Sequence, residues 1–216
     1  GVYVDGTHYA NTTEKSINVT GLLEGSHTIR VYAYDAEDNS VYDEVLVYND
    51  FTAPVVTITN PTDGAYLNEN EVTVNWTVTE NIDTKRIEIY INTTSETLSG
   101  DARSYTTTLS DGYWTIRVYA YDVADNYGYD EITICVDTVA PSLTLNSPVD
   151  GTYFNVTSVE VSWNATDNIG IDYVEVYCDN EYKGSGSATD SMVLSGLSEG
   201  SHEIRVVAKD LAGNQK

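Results

Sequence analysis

Three copies of one stretch decide the fold: HTIRVYAYD at 27–35, WTIRVYAYD at 114–122 and HEIRVVAKD at 202–210. The first two copies begin 87 residues apart and the last two 88 apart. Within each copy apolar and polar residues alternate, which is typical of a β-strand with one buried face. A fixed period marks tandem copies of one unit, and a period of this length suffices for a small domain. The sequence therefore predicts an array of β-domains.

Other landmarks keep the same step, since Pro54 and Pro141, and likewise Trp76 and Trp163, are 87 residues apart. Each proline ends a short linker and fixes φ, so we expect stiff junctions between repeats. We predict a partial domain, a complete domain and a domain lacking its last strand, over residues 1–50, 51–136 and 137–216 respectively.

The outer repeats are shorter than the middle one. The first lacks the opening segment with the proline and the tryptophan, and the third lacks the counterpart of residues 129–136. The simplest interpretation is an interior window of a longer protein. A second hypothesis is that neighbouring chains complete the ends by exchanging strands.

Short alternating runs separated by turn signals such as PTDG at 61–64 indicate strands, and no stretch of ten or more residues carries a helical stripe. Many short strands with regular turns predict an all-β fold of tandem β-sandwiches. The residues expected to point inward in the middle repeat are Val72, Val74, Trp76, Ile87, Ile89, Ile91, Ile116, Val118, Ala120, Ile132, Ile134 and Val136.

The composition is strongly acidic, with 34 Asp and Glu against 10 Lys and Arg and a net charge of −24. Because no basic surface is available to neutralise phosphates, this charge argues against nucleic acid and against anionic membranes as partners. No run of 18 apolar residues occurs, so we predict no membrane span in this segment. Such acidity favours cations as ligands.

Two cysteines, Cys135 and Cys178, lie in strand-like runs of different repeats. One alternative is an interdomain disulfide, and the other is a pair of small free thiols. Asn-X-Ser/Thr sequences are more frequent than the roughly three or four expected by chance, and either carry glycans or are plain surface asparagines. They are centred on Asn11, Asn18, Asn75, Asn92, Asn155 and Asn164.

The repeats resemble fibronectin type III domains and bacterial or archaeal Ig-like domains. The resemblance covers nearly the whole chain and rests on LLEGSHTIRVYAYDAEDN (22–39), DTVAP (137–141), TDNIGIDYVEVYCDN (166–180) and SGLSEGSHEIRVVAKDLAGN (195–214). It implies β-sandwiches in an extracellular array, but not one function, since such modules serve adhesins, surface layers, stalks and secreted hydrolases alike. The tyrosine of the family's tyrosine corner is replaced by His27, Trp114 and His202.

In this fold the B–C and F–G loops lie at the pole that faces the preceding linker, so acidic residues should gather at each junction. Converging carboxylates repel each other unless a cation joins them, and calcium takes six to eight oxygens. We therefore predict calcium as a cofactor; the alternative is that acidic turns are merely solvated. The candidate ligands are Asp50, Glu80, Asn81, Asp83, Asp122, Asp125 and Asn126 at the first junction, and Asp137, Asp167, Asn168, Asp210 and Asn214 at the second.

Tyrosine is abundant, with 18 Tyr against two Phe. Exposed aromatic surfaces mark contacts, so we predict an interaction face for neighbouring copies of the protein, other surface proteins or polysaccharide. Cross-strand pairs that only stabilise the sheet are the alternative. Arg30, Arg117 and Arg205 are expected to stack on its rings. The predicted face comprises Tyr3, Tyr32, Tyr34, Tyr48, Tyr90, Tyr119, Tyr121 and Tyr177.

Catalysis is not indicated. No nucleophile triad, metal-hydrolase motif or phosphate loop is present, and the carboxylates occur in repeated loops, whereas an active site is usually unique in a chain. We predict a structural, non-catalytic extracellular protein: a stiff acidic array in a prokaryotic surface layer, stalk, adhesin shaft or filament. The alternative is a set of carbohydrate-binding or spacer modules of a secreted hydrolase. Asn-linked acceptors on an acidic, tyrosine-rich surface favour an archaeal over a bacterial source.

Overall fold

The computed structural model describes all 216 residues and contains strands and turns but no helix. No helix long and apolar enough to span a bilayer is therefore present. The strands fall into three consecutive modules, here named module 1 (residues 2–49), module 2 (55–136) and module 3 (142–210), joined by linkers 50–54 and 137–141. The fold is all-β, as the alternation predicts.

Module 1 is a single antiparallel sheet with the strand order β2-β1-β3-β4. Its valines at 31, 41 and 45 are more than half exposed, because no second sheet of this chain faces them. The strands are β1 (Val2–Val4), β2 (Thr7–Ala10), β3 (Gly25–Tyr34) and β4 (Ser40–Asn49).

Module 2 is a sandwich of a three-stranded sheet, β10-β7-β5, and a five-stranded sheet, β6-β12-β11-β8-β9, in which only β6 and β12 are parallel. All the inward residues predicted for this repeat are buried in one core. The strands are β5 (Val55–Asn60), β6 (Tyr66–Leu67), β7 (Glu71–Thr79), β8 (Thr84–Ile91), β9 (Thr94–Ser99), β10 (Ser104–Thr108), β11 (Gly112–Asp122) and β12 (Tyr127–Val136).

Module 3 repeats this arrangement with two three-stranded sheets, β13-β14-β17 and β16-β15-β18, around a core centred on Trp163. Each large apolar side chain buried in these cores contributes about 1.5–3 kcal/mol. The strands are β13 (Ser142–Ser147), β14 (Ser158–Thr166), β15 (Ile171–Cys178), β16 (Glu181–Gly186), β17 (Thr189–Ser195) and β18 (Ile204–Asp210).

The corner residue that replaces tyrosine has the same hydrogen-bond pattern in all three modules. A ring nitrogen faces the backbone carbonyl oxygen four residues upstream, at 2.8 Å for His27, 2.9 Å for Trp114 and 3.0 Å for His202. Because a carbonyl oxygen only accepts, the ring nitrogen is the donor in each case. Two histidines and one tryptophan thus hold one structural position.

The two cysteines are both free and buried, Cys135 in β12 and Cys178 in β15. The interdomain disulfide is therefore wrong, since each thiol lies within its own module. Burial raises the pKa of both thiols, so both stay protonated at neutral pH.

Candidate metal sites at the module junctions

The first residue of each linker is a buried aspartate that is anchored to the module that follows. The backbone carbonyl of Asp50 accepts the side-chain amide of Asn126 at 3.0 Å, and that of Asp137 accepts Asn214 at 2.8 Å. Both asparagines lie in the loop after the repeated strand, the F–G loop. The linker start and this loop are therefore in direct contact at both junctions.

The second junction brings three carboxylates together: Asp137 from the linker, Asp167 from the loop between β14 and β15, and Asp210 at the end of β18. The Oδ1 of each accepts the backbone amide two residues later, at 3.2, 2.9 and 2.9 Å respectively. The Oδ2 of each is buried and has no hydrogen-bond partner. Each carboxylate is thus fixed by one oxygen while the other is unpaired.

The first junction repeats the pattern with Asp50, Glu80 and Asp122. One oxygen of each accepts the backbone amide two residues later, at 3.3, 3.2 and 2.8 Å respectively. The other oxygen of Asp50 and of Glu80 is buried without a partner, whereas that of Asp122 accepts Asn126 at 2.8 Å. The two junctions therefore share the arrangement of three carboxylates, but they differ in a Glu-for-Asp replacement and in the asparagines that donate to the carboxylates.

The geometry of both clusters fits a hard cation. In each, one oxygen from every carboxylate lies within 4.8 Å of the others. Calcium–oxygen bonds of about 2.3–2.6 Å allow one ion to contact oxygens up to roughly 5 Å apart. Burial, with Asp167 and Asp210 nearby, raises the pKa of Asp137 above its ordinary value. All-oxygen ligands suit calcium better than zinc, which prefers nitrogen and sulfur.

Two of the five acidic residues predicted as ligands at the first junction lie outside the cluster. Asp125 instead pairs with Lys85 at 2.8 Å and with Arg86 at 3.2 Å. Asp83 is exposed and belongs to neither group of three carboxylates. Neither side chain is brought into the cluster, and for Asp125 the reason is its pairing with these two basic neighbours.

The predicted asparagines act as donors around the carboxylates. Asn168 donates to Asp137 at 3.2 Å, as Asn126 and Asn214 donate to the linker carbonyls. Asn81 donates to Glu24 of module 1, a cross-module contact that the sequence reading missed. The signal for Glu24 is periodic, because an acidic residue recurs 87 residues later as Asp111.

A third group, Cys178, Asp179 and His202, also brings potential ligand atoms together. Asp179 and His202 are 2.7 Å apart, and Asp5 and His27 form the same pair at 2.7 Å in module 1. There the residue matching Cys178 is Val4, which cannot bind a metal. The shared Asp–His geometry is therefore the structural corner and not a metal centre.

Tyrosines do line the outer face of the sheet that contains the repeated strand in each module. In module 2 the ring of Tyr119 lies 5.4 Å from Tyr90, 6.4 Å from Tyr121 and 4.9 Å from Tyr129. In module 1 Tyr32 lies 5.3 Å from Tyr3 and 6.0 Å from Tyr34.

The tyrosine face is wider than predicted. Tyr177 of module 3 pairs with Tyr182, while Tyr48 stands apart near the far end of β4, opposite Ser26. The prediction omitted Tyr42, Tyr127, Tyr129 and Tyr182, which strand pairing across the hairpins places on this face.

Two of the three arginines that were expected to stack on tyrosine rings do so. Arg30 lies 4.6 Å from the ring centre of Tyr42, and Arg205 lies 4.5 Å from that of Tyr177. Arg117 instead pairs with Glu131 on the neighbouring strand. In module 2 the stacked cation is Arg86, 3.6 Å from the ring centre of Tyr121.

The six candidate glycosylation asparagines lie on the surface, and all but Asn75 are exposed. Asn75 and Asn164 point away from the cores that bury Trp76 and Trp163, as strand alternation requires. The side-chain oxygen of Asn164 accepts Thr189 at 2.6 Å. Their modification stays a prediction.

Comparison with known proteins decides the family. Residues 54–134 and 141–206, more than half of the chain, match the bacterial Ig domain family. The chain belongs to this family. Residues 1–51 match a separate domain of unknown function, DUF8447. The resemblance to Ig-like and fibronectin III-like tandem repeats is thereby confirmed.

The regions that match this chain are small parts of much longer proteins. The chain is 29% identical to Bacillopeptidase F of Bacillus subtilis over 77% of its own length and 11% of that protein. It is 34% identical to Halomucin of Haloquadratum walsbyi over 38% of its length and 1% of that protein. The fibronectin(III)-like modules of Clostridium thermocellum CbhA share the fold, with a TM-score of 0.51 and 20% identity over 74% of this chain and 88% of theirs.

Proposed function

We propose that this chain is a structural, non-catalytic part of an extracellular protein, in which calcium bridges successive Ig modules into a stiff array. Five buried carboxylate oxygens without partners carry the proposal, because they gather at both junctions. A buried unpaired charge is costly, and a divalent cation offsets that cost directly. The carboxylates recur in corresponding loops of successive modules, whereas an active site usually occurs once in a chain, so they do not suggest catalysis.

Calcium at these positions would tie each linker to the module that follows it. At the second junction its protein ligands would be Asp137, Asp167 and Asp210, with water and carbonyl oxygens completing six to eight contacts. The ligands come from the linker, from the loop between β14 and β15, and from the end of β18, so an ion there limits rotation at the start of the linker.

An extracellular location agrees with the strongly acidic surface and the exposed Asn-X-Ser/Thr sites. Extracellular calcium modules bind with dissociation constants of about 10⁻⁴–10⁻³ M, which suits a site with three carboxylates. A surface layer, stalk, adhesin shaft or filament would each use such an array, because tandem modules supply length.

Thermal unfolding in calcium and in excess chelator tests the proposal. We expect calcium to raise the melting temperature and magnesium to raise it less, because magnesium demands near-octahedral geometry. Asp210→Ala should remove the rise for module 3, whereas Asp150→Ala, an exposed residue outside both clusters, should not. Equal melting curves in calcium and chelator would refute the calcium bridge.

Small-angle X-ray scattering tests the stiffness separately. A calcium-bridged array should keep a longer and better-defined maximum dimension in calcium than in chelator. If calcium binds but the scattering is the same in both, the ion stabilises single modules and does not rigidify the array.

A second candidate function is that of carbohydrate-binding or spacer modules in a secreted hydrolase. It is favoured by the match to a protein named as a peptidase and by the exposed tyrosine face. Saturable binding to an insoluble polysaccharide, lost in Tyr90→Ala and Tyr121→Ala, would support it. Tyr153→Ala is the matched control, because Tyr153 is almost fully exposed and lies in the β13–β14 loop, away from the tyrosine face.

The same face is the candidate contact for neighbouring copies of the protein or other surface proteins. Its charges pair within the sheet, Arg117 with Glu131 and Arg86 with Glu88, so it lacks the net repulsion of the remaining acidic surface. Sedimentation over a range of concentrations tests this role. Association lost in Tyr129→Ala would support it, and a monomer at every concentration would not.

A further inference from the structure

The corner of each module joins a tight turn to the repeated strand. The turn residue, Asp5, Asn92 or Asp179, has a left-handed φ of 50°, 52° and 52° respectively. Asp and Asn tolerate this conformation better than other side chains. One side-chain oxygen accepts the amide of the residue after the corner ring, at 2.8, 2.9 and 2.9 Å respectively.

In modules 1 and 3 the corner ring is a histidine with an acceptor at both nitrogens. His27 has Nδ1 2.7 Å from the carboxylate of Asp5 and Nε2 2.8 Å from the carbonyl of Leu23. His202 has Nδ1 2.7 Å from Asp179 and Nε2 3.0 Å from the carbonyl of Ser198. A neutral imidazole carries one N–H, so only the imidazolium satisfies both contacts.

Module 2 builds the same corner without a titratable group. Trp114 supplies the ring N–H to the carbonyl of Ser110, and the neutral amide of Asn92 replaces the carboxylate. Indole has a single N–H and no acceptor, so the second contact is absent. The chain therefore contains its own uncharged version of the corner.

We propose that the Asp5–His27 and Asp179–His202 pairs are pH-sensitive clamps, which hold the turn to the strand while the histidine is charged and loosen when it loses its proton. The corner of module 2 carries no such dependence. An array of these modules would then have corners that respond to pH alternating with one that does not.

The charged groups around each clamp leave the aspartate as the dominant partner. Near His27, the strand β4 presents Val47, and Glu24 on the upstream loop bonds Thr52 and Asn81 instead. On β2, His8 bonds Asn11. No other titratable side chain bonds His27.

The surroundings of His202 are similar. The thiol of Cys178 lies 3.8 Å from Asp179 and stays neutral, because burial raises its pKa. On β16, Glu181 and Lys183 pair with each other at 2.9 Å. Glu199, beside Ser198 on the upstream loop, and Glu203 are the remaining acidic neighbours, and neither side chain bonds the ring.

The direction of the dependence follows from the partners. The hydrogen bond to aspartate raises the pKa of both histidines, so the stabilisation is complete below the ordinary histidine value of about 6.5 and disappears as pH rises through the raised value. The histidine in turn lowers the pKa of both aspartates, so their stabilisation is lost as pH falls through that lowered value. The clamps are strongest in mildly acidic solution.

Nuclear magnetic resonance on the intact chain tests the clamps directly. In a pH titration of the folded chain, His27 and His202 should keep both ring nitrogens protonated to a higher pH than the same histidines do in the urea-unfolded chain, where the ordinary pKa is about 6.5. Deprotonation of both histidines at the same pH in the folded and the unfolded chain would overturn the proposal. This measurement needs no variant.

A swap based on module 2 tests the cause. Asp179→Asn with His202→Trp should remove the part of the pH dependence of unfolding that belongs to module 3, while His8→Gln leaves it intact. Asp179→Asn alone should lower the apparent pKa of His202, because it removes the carboxylate whose hydrogen bond and charge raise that pKa. An unchanged His202 pKa, or an unchanged pH dependence in the swap, would refute the clamp.

Discussion

Replacing Asp137 by asparagine should change stability in opposite directions with and without calcium. Asp137 is fully buried, and one of its carboxylate oxygens lies within 4.8 Å of an oxygen of Asp167 and of Asp210. The Oδ2 of each of the three residues is buried without a hydrogen-bond partner. In Asp137→Asn an amide N–H₂ can take the place of Oδ2 and donate to either neighbour. The change removes one buried charge and supplies a donor to two orphaned acceptors.

The magnitude follows from these contacts. A buried polar group without a partner costs about 1–3 kcal/mol, so the variant should gain about 1–2 kcal/mol in chelator. For a module of this size each kcal/mol raises the melting temperature by about 4–8 °C. At about 100 times the dissociation constant, calcium adds about 2.7 kcal/mol to the wild type, and the variant should lose most of that.

Differential scanning calorimetry in chelator and in calcium measures both effects. Asp172→Asn is the matched control, because it removes the same charge from an exposed position on β15. In chelator the wild type should also gain stability on acidification, since the raised pKa of Asp137 makes its charged form unfavourable above that value. An equal loss of stability in both solutions would refute the reasoning.

Three further predictions concern the cores. Trp163→Phe should cost about 1 kcal/mol more than Trp76→Phe in urea denaturation, because the indole of Trp163 donates to Ser187 at 2.9 Å while that of Trp76 has no partner; equal costs would contradict this. Gly128→Ala should destabilise module 2 by about 1–3 kcal/mol, since the new Cβ would lie 2.0 Å from the backbone oxygen of Pro54; a neutral effect in the same assay would show that the linker yields. Both cysteines should react with a thiol reagent only on unfolding, as followed by absorbance; fast labelling of the folded chain would contradict their burial.

The strands were predictable from sequence because burial on one face imposes a period of two. Trp76 and Trp163, one period apart, both anchor cores, and the alternation around them sets the register. The carboxylates that meet at the junctions were predictable from topology, because loops at the same end of a sandwich converge. Asp122 and Asp210 are the last residues of the repeated strand in their modules, so the sequence repeat itself identifies them as equivalent.

The directions of individual side chains were not predictable in the same way. Asp125 lies in the same loop as Asn126, yet it turns towards Lys85 and Arg86, which come from another strand. Such pairings depend on cross-strand register, which the local pattern does not encode. The second contact of His27 is also non-local, because its aspartate is 22 residues upstream.

The junctions are held by direct protein contacts as well as by the proposed ion. Asn126 and Asn214 donate to the backbone carbonyl oxygens of the linker aspartates. The proposed ion would bind the side-chain carboxylates instead, so these hydrogen bonds should persist when calcium is removed. At the first junction Glu24 adds bonds to Thr52 and Asn81, whereas at the second Asp111 accepts both the amide and the hydroxyl of Thr138 at 3.0 Å. Chelation should therefore soften the junctions without uncoupling the modules, and the first should keep more of its order, because Glu24 alone reaches a loop of the next module.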